Sequence, residues 1–417
     1  MQIVVVAPEA TSVGARSDVR LTSEICGVGL LERTLVTAQR AGASEVLLVW
    51  PQSLPLELAE GTLQSRLLKK TDNVSLMQVE HFDPNACSSW TNLQSQLEEQ
   101  FIWLPWNWVT YARALAKLPE LEQSSPDWGG ATWASKTAVV SDASPRPRIG
   151  PVPEGVAVTS DKSADAAERF LVAYSGKASD GIHTSFNRRV CRPVVRWLTH
   201  TSVTPNAVTL GGVVVAIFSA MAFARGNYWS YVAGSLLFYI AGLFDEMDGM
   251  LARIKFSDSP FGTWFEGFAD GISYVLLFGS VTIGLYRQHG PWELWVGAAL
   301  LVGTILSLVV ISLQRKRAAS ADRPHEYLGN FYRKLEDDSS NWISRMVRQV
   351  HAFQKRGVMI IYIVIFTVLG GLPVVFYLAT LASHVTWIVV LYFDRRFFQQ
   401  ASPSTSFRKI QSSQEGS

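Results

Sequence analysis

The chain of 417 residues predicts an α/β N-terminal domain followed by an all-α transmembrane domain of six helices. Three observations carry this expectation. Short apolar runs alternate with helical patterns over about the first 150 residues, as where helices connect the strands of a parallel sheet. Apolar runs of membrane length begin only near Ala207. A stretch dense in acidic residues, Phe244 to Tyr274, lies between the second and third of those runs.

The N-terminal pattern opens with "IVVVA" (3–7), a buried-strand run with no basic segment before it, which reads as a first strand and not as a signal peptide. "GLLERTLVTAQRAG" (29–42) has helical spacing, with Leu30, Leu31, Leu35 and Val36 on one face and a terminal Gly42. "SEVLLVW" (44–50) reads as a second strand. "VSLMQVEHF" (74–82), "WTNLQSQLEEQ" (90–100) and "FIWLP" (101–105) repeat strand, helix, strand. Residues 123–165 are rich in Ser, Pro and Gly, and part of them reads as an excursion or linker. A connecting helix is expected within 163–181. "FNRRVCRPVVRWL" from residue 186 is basic and amphipathic, as in a helix lying on an anionic leaflet or an ordinary juxtamembrane flank.

Six apolar spans follow at roughly 207–224, 231–250, 266–286, 292–313, 357–373 and 375–393, each near the ~20 residues that cross a bilayer. Connections 225–230 and 287–291 carry one Arg each, whereas 314–356 carries ten Lys and Arg. That asymmetry places both termini, the 314–356 loop and the acidic stretch on the cytosolic side of the membrane. Within the loop, 339–357 reads as a surface helix, and Arg315, Arg317 and Arg356 could bind a phosphate or simply supply flanking charge. The formal charge of +2 and the lack of an Arg-rich, aromatic-interleaved stretch give no reason to expect nucleic acid. Cys26, Cys87 and Cys191 are far apart, without zinc or disulfide spacing, and fit a reducing compartment. The seven histidines do not cluster at metal-ligand spacing.

The acidic stretch carries the chemistry. On a helix, Asp245, Asp248, Gly249 and Ala252 share a face, and so do Glu266 and Asp270 on the next helix. Two antiparallel helices can therefore aim four carboxylates at one point, with Gly249, Ala252 and Gly262 leaving room beside it. Gathered carboxylates repel unless cations neutralise them, and oxygen donors suit Mg²⁺, Mn²⁺ or Ca²⁺. Two such ions polarise a phosphoryl group, which points to phosphoryl transfer at a membrane surface.

These residues resemble the CDP-alcohol phosphotransferase family, which includes the phosphatidyltransferases, with its pattern D-x2-D-G-x2-A-R-x8-G-x3-D-x3-D. Asp245, Asp248, Gly249, Ala252, Arg253, Gly262 and Asp270 match, and Glu266 stands where the family has its third Asp. "TPNAVT" (204–209) is similar to the family's entry to its first membrane helix. The resemblance implies two divalent cations, Mg²⁺ or Mn²⁺, held by Asp245, Asp248, Glu266 and Asp270. It implies a nucleotide pocket formed by Asp248, Gly249, Ala252, Arg253 and Gly262, with Arg253 steadying the diphosphate or its surrounding carboxylates. Asp270 would be the general base or the last metal ligand. The donor would be a CDP-alcohol, with CDP-diacylglycerol the first choice, and the acceptor another alcohol. CMP would leave, within phospholipid synthesis, and a homodimer through the membrane helices is in keeping with the family.

"GVGLLERTLVTAQRAGASEVLLVW" (27–50) resembles sugar-phosphate nucleotidyltransferases. The loop before it retains Gly14 and Arg16 but lacks the full Gly pattern and the Lys of active members, and 101–109 has no acid. A degenerate Rossmann-like domain is expected. The organisation expected is thus 1–160 nucleotidyltransferase-like, 161–203 linker and basic juxtamembrane helix, 204–396 membrane phosphotransferase, and 397–417 disordered tail. Two alternatives stand beside this reading. One is a catalytically impaired, nucleotide-binding membrane homologue. The other is a bifunctional cytidylyltransferase and phosphotransferase for a soluble product of inositol-phosphate type.

Overall fold

The computed structural model describes residues 1–8, 21–68, 73–84, 86–120, 131–140, 155–176, 182–318 and 356–394. The loop with Gly14 and Arg16, much of 123–165, the 339–357 surface helix except its last two residues, and the 397–417 tail lie outside these residues. So do the side chains of Arg315, Arg317 and Arg356. Two compact units are present: Met1–Ala207 with Glu246–Gly262, and Val208–Asp245 with Thr263 onward.

The first unit is built on a five-stranded sheet. In chain order its elements begin with β1 (Gln2–Val6), the two-residue strands β2 (Glu24–Ile25) and β3 (Val28–Gly29), α1 (Leu30–Arg40), β4 (Glu45–Pro51), α2 (Leu56–Leu63) and β5 (Val74–Val79). There follow α3 (Cys87–Leu93), β6 (Gln100–Pro105), β7 (Trp108–Thr110), α4 (Ala112–Ala116), β8 (Thr132–Ser135), α5 (Lys136–Val140) and β9 (Gly155–Ala157). The strand order is β5, β4, β1, β6, β8, with β8 alone antiparallel. Val4 pairs Leu47 on one side and Trp103 on the other, so β1 is central. That position explains its unbroken apolar run, because both faces of such a strand are covered. Ile3, Val5, Leu48, Ile102 and Leu104 pack with Leu31 and Leu35 of α1. Val4, Val6, Leu47 and Trp103 face the other way, onto Phe82, Trp90 and Leu93.

The parallel α/β expectation thus holds for β5, β4, β1 and β6, while β8 at the sheet edge runs antiparallel. The helix expected at 90–100 is shorter and earlier, α3. The buried Gln2 donates from its side chain to the Gln96 carbonyl at 2.7 Å and accepts from the Glu98 N–H at 2.9 Å. Tethered to β1 in this way, 96–98 leaves the helix and leads directly into β6. Gly42 closes α1 in the left-handed region at φ +86°, where glycine carries no Cβ penalty.

Two helices complete the unit. α6 (Asp161–Tyr174) starts at a capping box in which Ser160 accepts from the Ser163 N–H. α7 (Ile182–Thr199) is amphipathic, but its arginines mostly turn inward. Arg188 pairs with Glu246, Arg192 donates to the Ala173 carbonyl at 3.1 Å, and Arg196 pairs with Asp165 and Glu168. The outward face carries Phe186, Val190, Val194 and Trp197, the last 66% exposed, with Arg189 beside them.

The second unit is helical: most of α8 (Pro205–Phe223), the first part of α9 (Tyr228–Ile254), most of α10 (Pro260–His289), α11 (Trp292–Ala318), α12 (Arg356–Val368) and α13 (Leu372–Asp394). Among the described residues, four helices are long and apolar enough to cross a membrane: Pro205–Phe223, Pro260–His289, Trp292–Ile311 and Leu372–Phe393. α9 carries Asp245, Glu246, Asp248 and Arg253, and α12 has 13 residues, so neither joins that set. Phe223, Tyr231, Phe238, Leu277, Val281 and Leu300 form the interior, while Leu, Ile, Val and Phe side chains cover the outside. Gly284 lies against the Phe223 carbonyl and Gly297 against Thr282, where a Cβ would collide. Such close backbone approach is how helices pack in lipid, where apolar burial gives no gain.

Candidate active site

The helices that carry the acids start and stop on local signals. Thr204 and Pro205 begin α8, and Ser259 and Pro260 begin α10. The Ser259 hydroxyl accepts from the Gly262 N–H at 2.9 Å and Thr204 Oγ1 from the Ala207 N–H at 3.3 Å, each an N-cap bond ahead of a proline that needs no donor. α9 ends in a reversal in which the Ser257 N–H returns to the Ala252 carbonyl at 2.9 Å. Phe256 occupies the left-handed position of that cap at φ +54°. Glycine is the usual residue there, and a side chain at this position costs about 1–2 kcal/mol.

Asp245 and Asp248 stand one turn apart on α9, and Glu266 lies in the second turn of α10. Their carboxylate oxygens lie within 4.8 Å of one another, the only group of this kind among the described residues. Asp248 is 3% exposed, and the other two are half-buried. Unit charges at this spacing repel by roughly 3–4 kcal/mol per pair at an effective dielectric near 20. Oxygens on one cation at about 2.0–2.6 Å can be no more than about 4–5 Å apart, which is the spacing seen. The donor set is all oxygen and triply anionic, and so fits a hard divalent ion. The extra methylene of Glu266 therefore does not keep its carboxylate from the group.

The structure brings together three of the four expected carboxylates. Asp270 is half-buried one turn beyond Glu266 and lies outside the triad. Gly249 leaves space for Arg253, whose Nη1 would sit 3.3 Å from a Cβ there. Arg253 Nε donates to the Ser175 carbonyl at 2.5 Å. Ala252 supplies the capping carbonyl described above, and Gly262 lies close to Ser259 and Asn206.

Cations outside the carboxylate pattern hold residues 246–258. Arg188 Nε meets Glu246 at 2.8 Å, and Lys255 Nζ donates to the Thr201 carbonyl at 2.6 Å. Burial at Lys255 pushes its ammonium below the ordinary value. Arg33 of α1 donates to the carbonyls of Ile254 at 3.0 Å and Ile25 at 2.8 Å. Burial also lowers the pKa of this guanidinium, which is 2% exposed. Arg40 contacts both Asp258 oxygens, at 2.8 and 3.0 Å, and donates to the Phe256 carbonyl at 3.0 Å. The spacing of Arg33 and Arg40, seven residues apart on one helical face, was the available signal. Nothing in the sequence marked their partner.

Residues 202–392 match the model of the CDP-alcohol phosphatidyltransferase family. The bifunctional IPC transferase and DIPP synthase of Aquifex aeolicus is 24% identical over 237 residues, 56% of this chain and 49% of that protein. The CDP-diacylglycerol–glycerol-3-phosphate 3-phosphatidyltransferase of Pseudomonas fluorescens is 30% identical over 119 residues, 28% of this chain and 57% of its own length. A phosphatidylinositol phosphate synthase of Mycobacterium marinum is 29% identical over 136 residues, 32% of this chain and 56% of the relative. The chain spans about half the length of these curated relatives.

Proposed function

We propose, from the match of residues 202–392 to the CDP-alcohol phosphatidyltransferase family model and from the carboxylate triad, that this chain is an integral membrane phosphotransferase. It moves a phosphoalcohol group, phosphatidyl as first choice, from a CDP-alcohol to an acceptor alcohol and releases CMP. The gathering of Asp245, Asp248 and Glu266 is the observation that carries this reading.

Asp245, Asp248 and Glu266 would hold a divalent cation, Mg²⁺ or Mn²⁺, and Asp270 would complete a second such site or act as base. Bound ions would supply charge neutralisation for the diphosphate and its transition state. Asp248, Gly249, Ala252, Arg253 and Gly262 would line the nucleotide pocket, with Arg253 packed over Gly249. The acceptor hydroxyl oxygen bonds to the β-phosphorus, while the bond from that phosphorus to the bridging oxygen breaks and CMP leaves. Asp270 takes the hydroxyl proton if it comes within hydrogen-bond reach of the acceptor. The reading takes six spans from the apolar runs of the sequence, two more than the four helices that qualify among the described residues, and the Lys and Arg distribution supports termini and site facing the cytosol. The α/β part is read as a degenerate nucleotidyltransferase-like domain at 1–160, joined through 161–203 to the membrane domain at 204–396.

CMP release from CDP-diacylglycerol in membranes should require Mg²⁺ or Mn²⁺ and disappear in Asp248→Asn. Undiminished release by that variant would sink the mechanism. A second reading follows from the Aquifex relative, whose name joins two activities and whose match exceeds the family region in length. On that reading the donor is a soluble-headed CDP-alcohol made by the chain's own N-terminal part. Pyrophosphate release from CTP by the full chain would favour it.

A further inference from the structure

Phe256 sits in a backbone conformation that favours glycine, yet it carries the largest side chain of the 254–258 turn. Its ring lies under two guanidinium groups, with Arg33 at 5.0 Å and Arg40 at 4.8 Å from the centroid. It also packs against the apolar core between α1 and the sheet. The same two arginines bind the backbone carbonyls of Ile254 and Phe256 and the carboxylate of Asp258. Arg33 has no carboxylate partner among the described ion pairs. A buried cation is costly unless hydrogen bonds and neighbouring electron density offset its lost hydration. Here the carbonyls and the aromatic face provide both.

Asp248 lies six residues before Ile254 on the same helix, so the end that the arginines hold is under two turns from a triad carboxylate. We propose that Arg33 and Arg40 clamp Phe256 and thereby fix the position of Asp248, making the α/β domain a positioning element for the membrane site. Phe256 is held at a strained cap because the ring is what the domain grips. The proposal rests on the phosphotransferase reading for its activity readout, but not for its ion-binding readout.

The test uses the purified full chain in lipid nanodiscs. Mn²⁺ affinity is followed by the paramagnetic signal of the free ion, alongside CMP release from CDP-diacylglycerol. Phe256→Gly relieves the backbone and removes the ring. Arg40→Ala breaks the more exposed half of the clamp and guards against misfolding at the buried Arg33. Both should weaken Mn²⁺ binding about tenfold and lower kcat by a similar factor, the range expected when groups that orient metal ligands are lost. Phe256→Tyr, which keeps the ring, should stay within about twofold of the parent. Wild-type Mn²⁺ affinity in Phe256→Gly and Arg40→Ala would overturn the clamp, even if either variant melts earlier. Weakened Mn²⁺ binding in the variants of a parent chain that releases no CMP would leave the clamp standing and remove the phosphotransferase reading.

Discussion

Two sets of acids lie within one short stretch, and they meet opposite fates. Glu246 and Asp258 each face an arginine from the first unit, at 2.8 Å. Asp245, Asp248 and Glu266 instead face one another. In sequence these five differ little: all are carboxylates within the 22 residues from Asp245 to Glu266. The paired acids fasten the chain, because each charge is cancelled by a protein cation. The gathered acids concentrate charge that invites a cation from outside. Proximity of like charge, not the presence of acid, separates a site from a brace.

This contrast breaks most sharply at the triad. Glu266→Gln removes one anionic donor and should lower CMP release by about two orders of magnitude, with weaker Mn²⁺ binding. Glu266→Asp keeps the charge but draws the carboxylate back by about one methylene. Misplacement on the ångström scale costs up to about 10²-fold, so a loss of about tenfold or more is expected. A gain in activity would show that the helices are set for the shorter side chain.

The brace should respond in stability. Arg188→Ala strands a largely buried Glu246 and should destabilise the chain by about 1–3 kcal/mol, below the 3–5 of a fully buried pair. The double replacement Arg188→Met with Glu246→Leu should recover most of this in thermal unfolding in detergent. If the single and double variants melt together, the pair is not a brace.

The smallest effect concerns pH. Burial raises the Cys26 thiol from 9.0 to about 11, ahead of the lowering effect of Arg33. The folded chain therefore keeps this proton at pH values where the unfolded chain loses it. Stability from this group is intact below pH 9 and falls as pH rises from 9 to about 11. Cys26→Ser should flatten that part of the pH dependence of unfolding.

Much of the fold was legible because its signals are local. The run Ile3 to Ala7, the spacing of Leu31 and Leu35 and the terminal Gly42 each report their own surroundings. The helix expected at 90–100 failed because Gln2, almost a hundred residues away, takes the 96–98 segment. The basic helix α7 was legible as amphipathic, but its polarity was not. Its arginines find acids and carbonyls within the protein and leave Phe186 and Trp197 outward.

By itself the sequence determined which residues could hold a cation. Carboxylates three and four apart share a helical face whatever surrounds them, since 3.6 residues make a turn. Tertiary structure decided which acids would gather and which would be neutralised. Arg188 reaches Glu246 across 58 residues and Arg40 reaches Asp258 across 218. A charge takes its role from what lies within a few ångströms, and for these groups that neighbourhood exists only once the chain has folded.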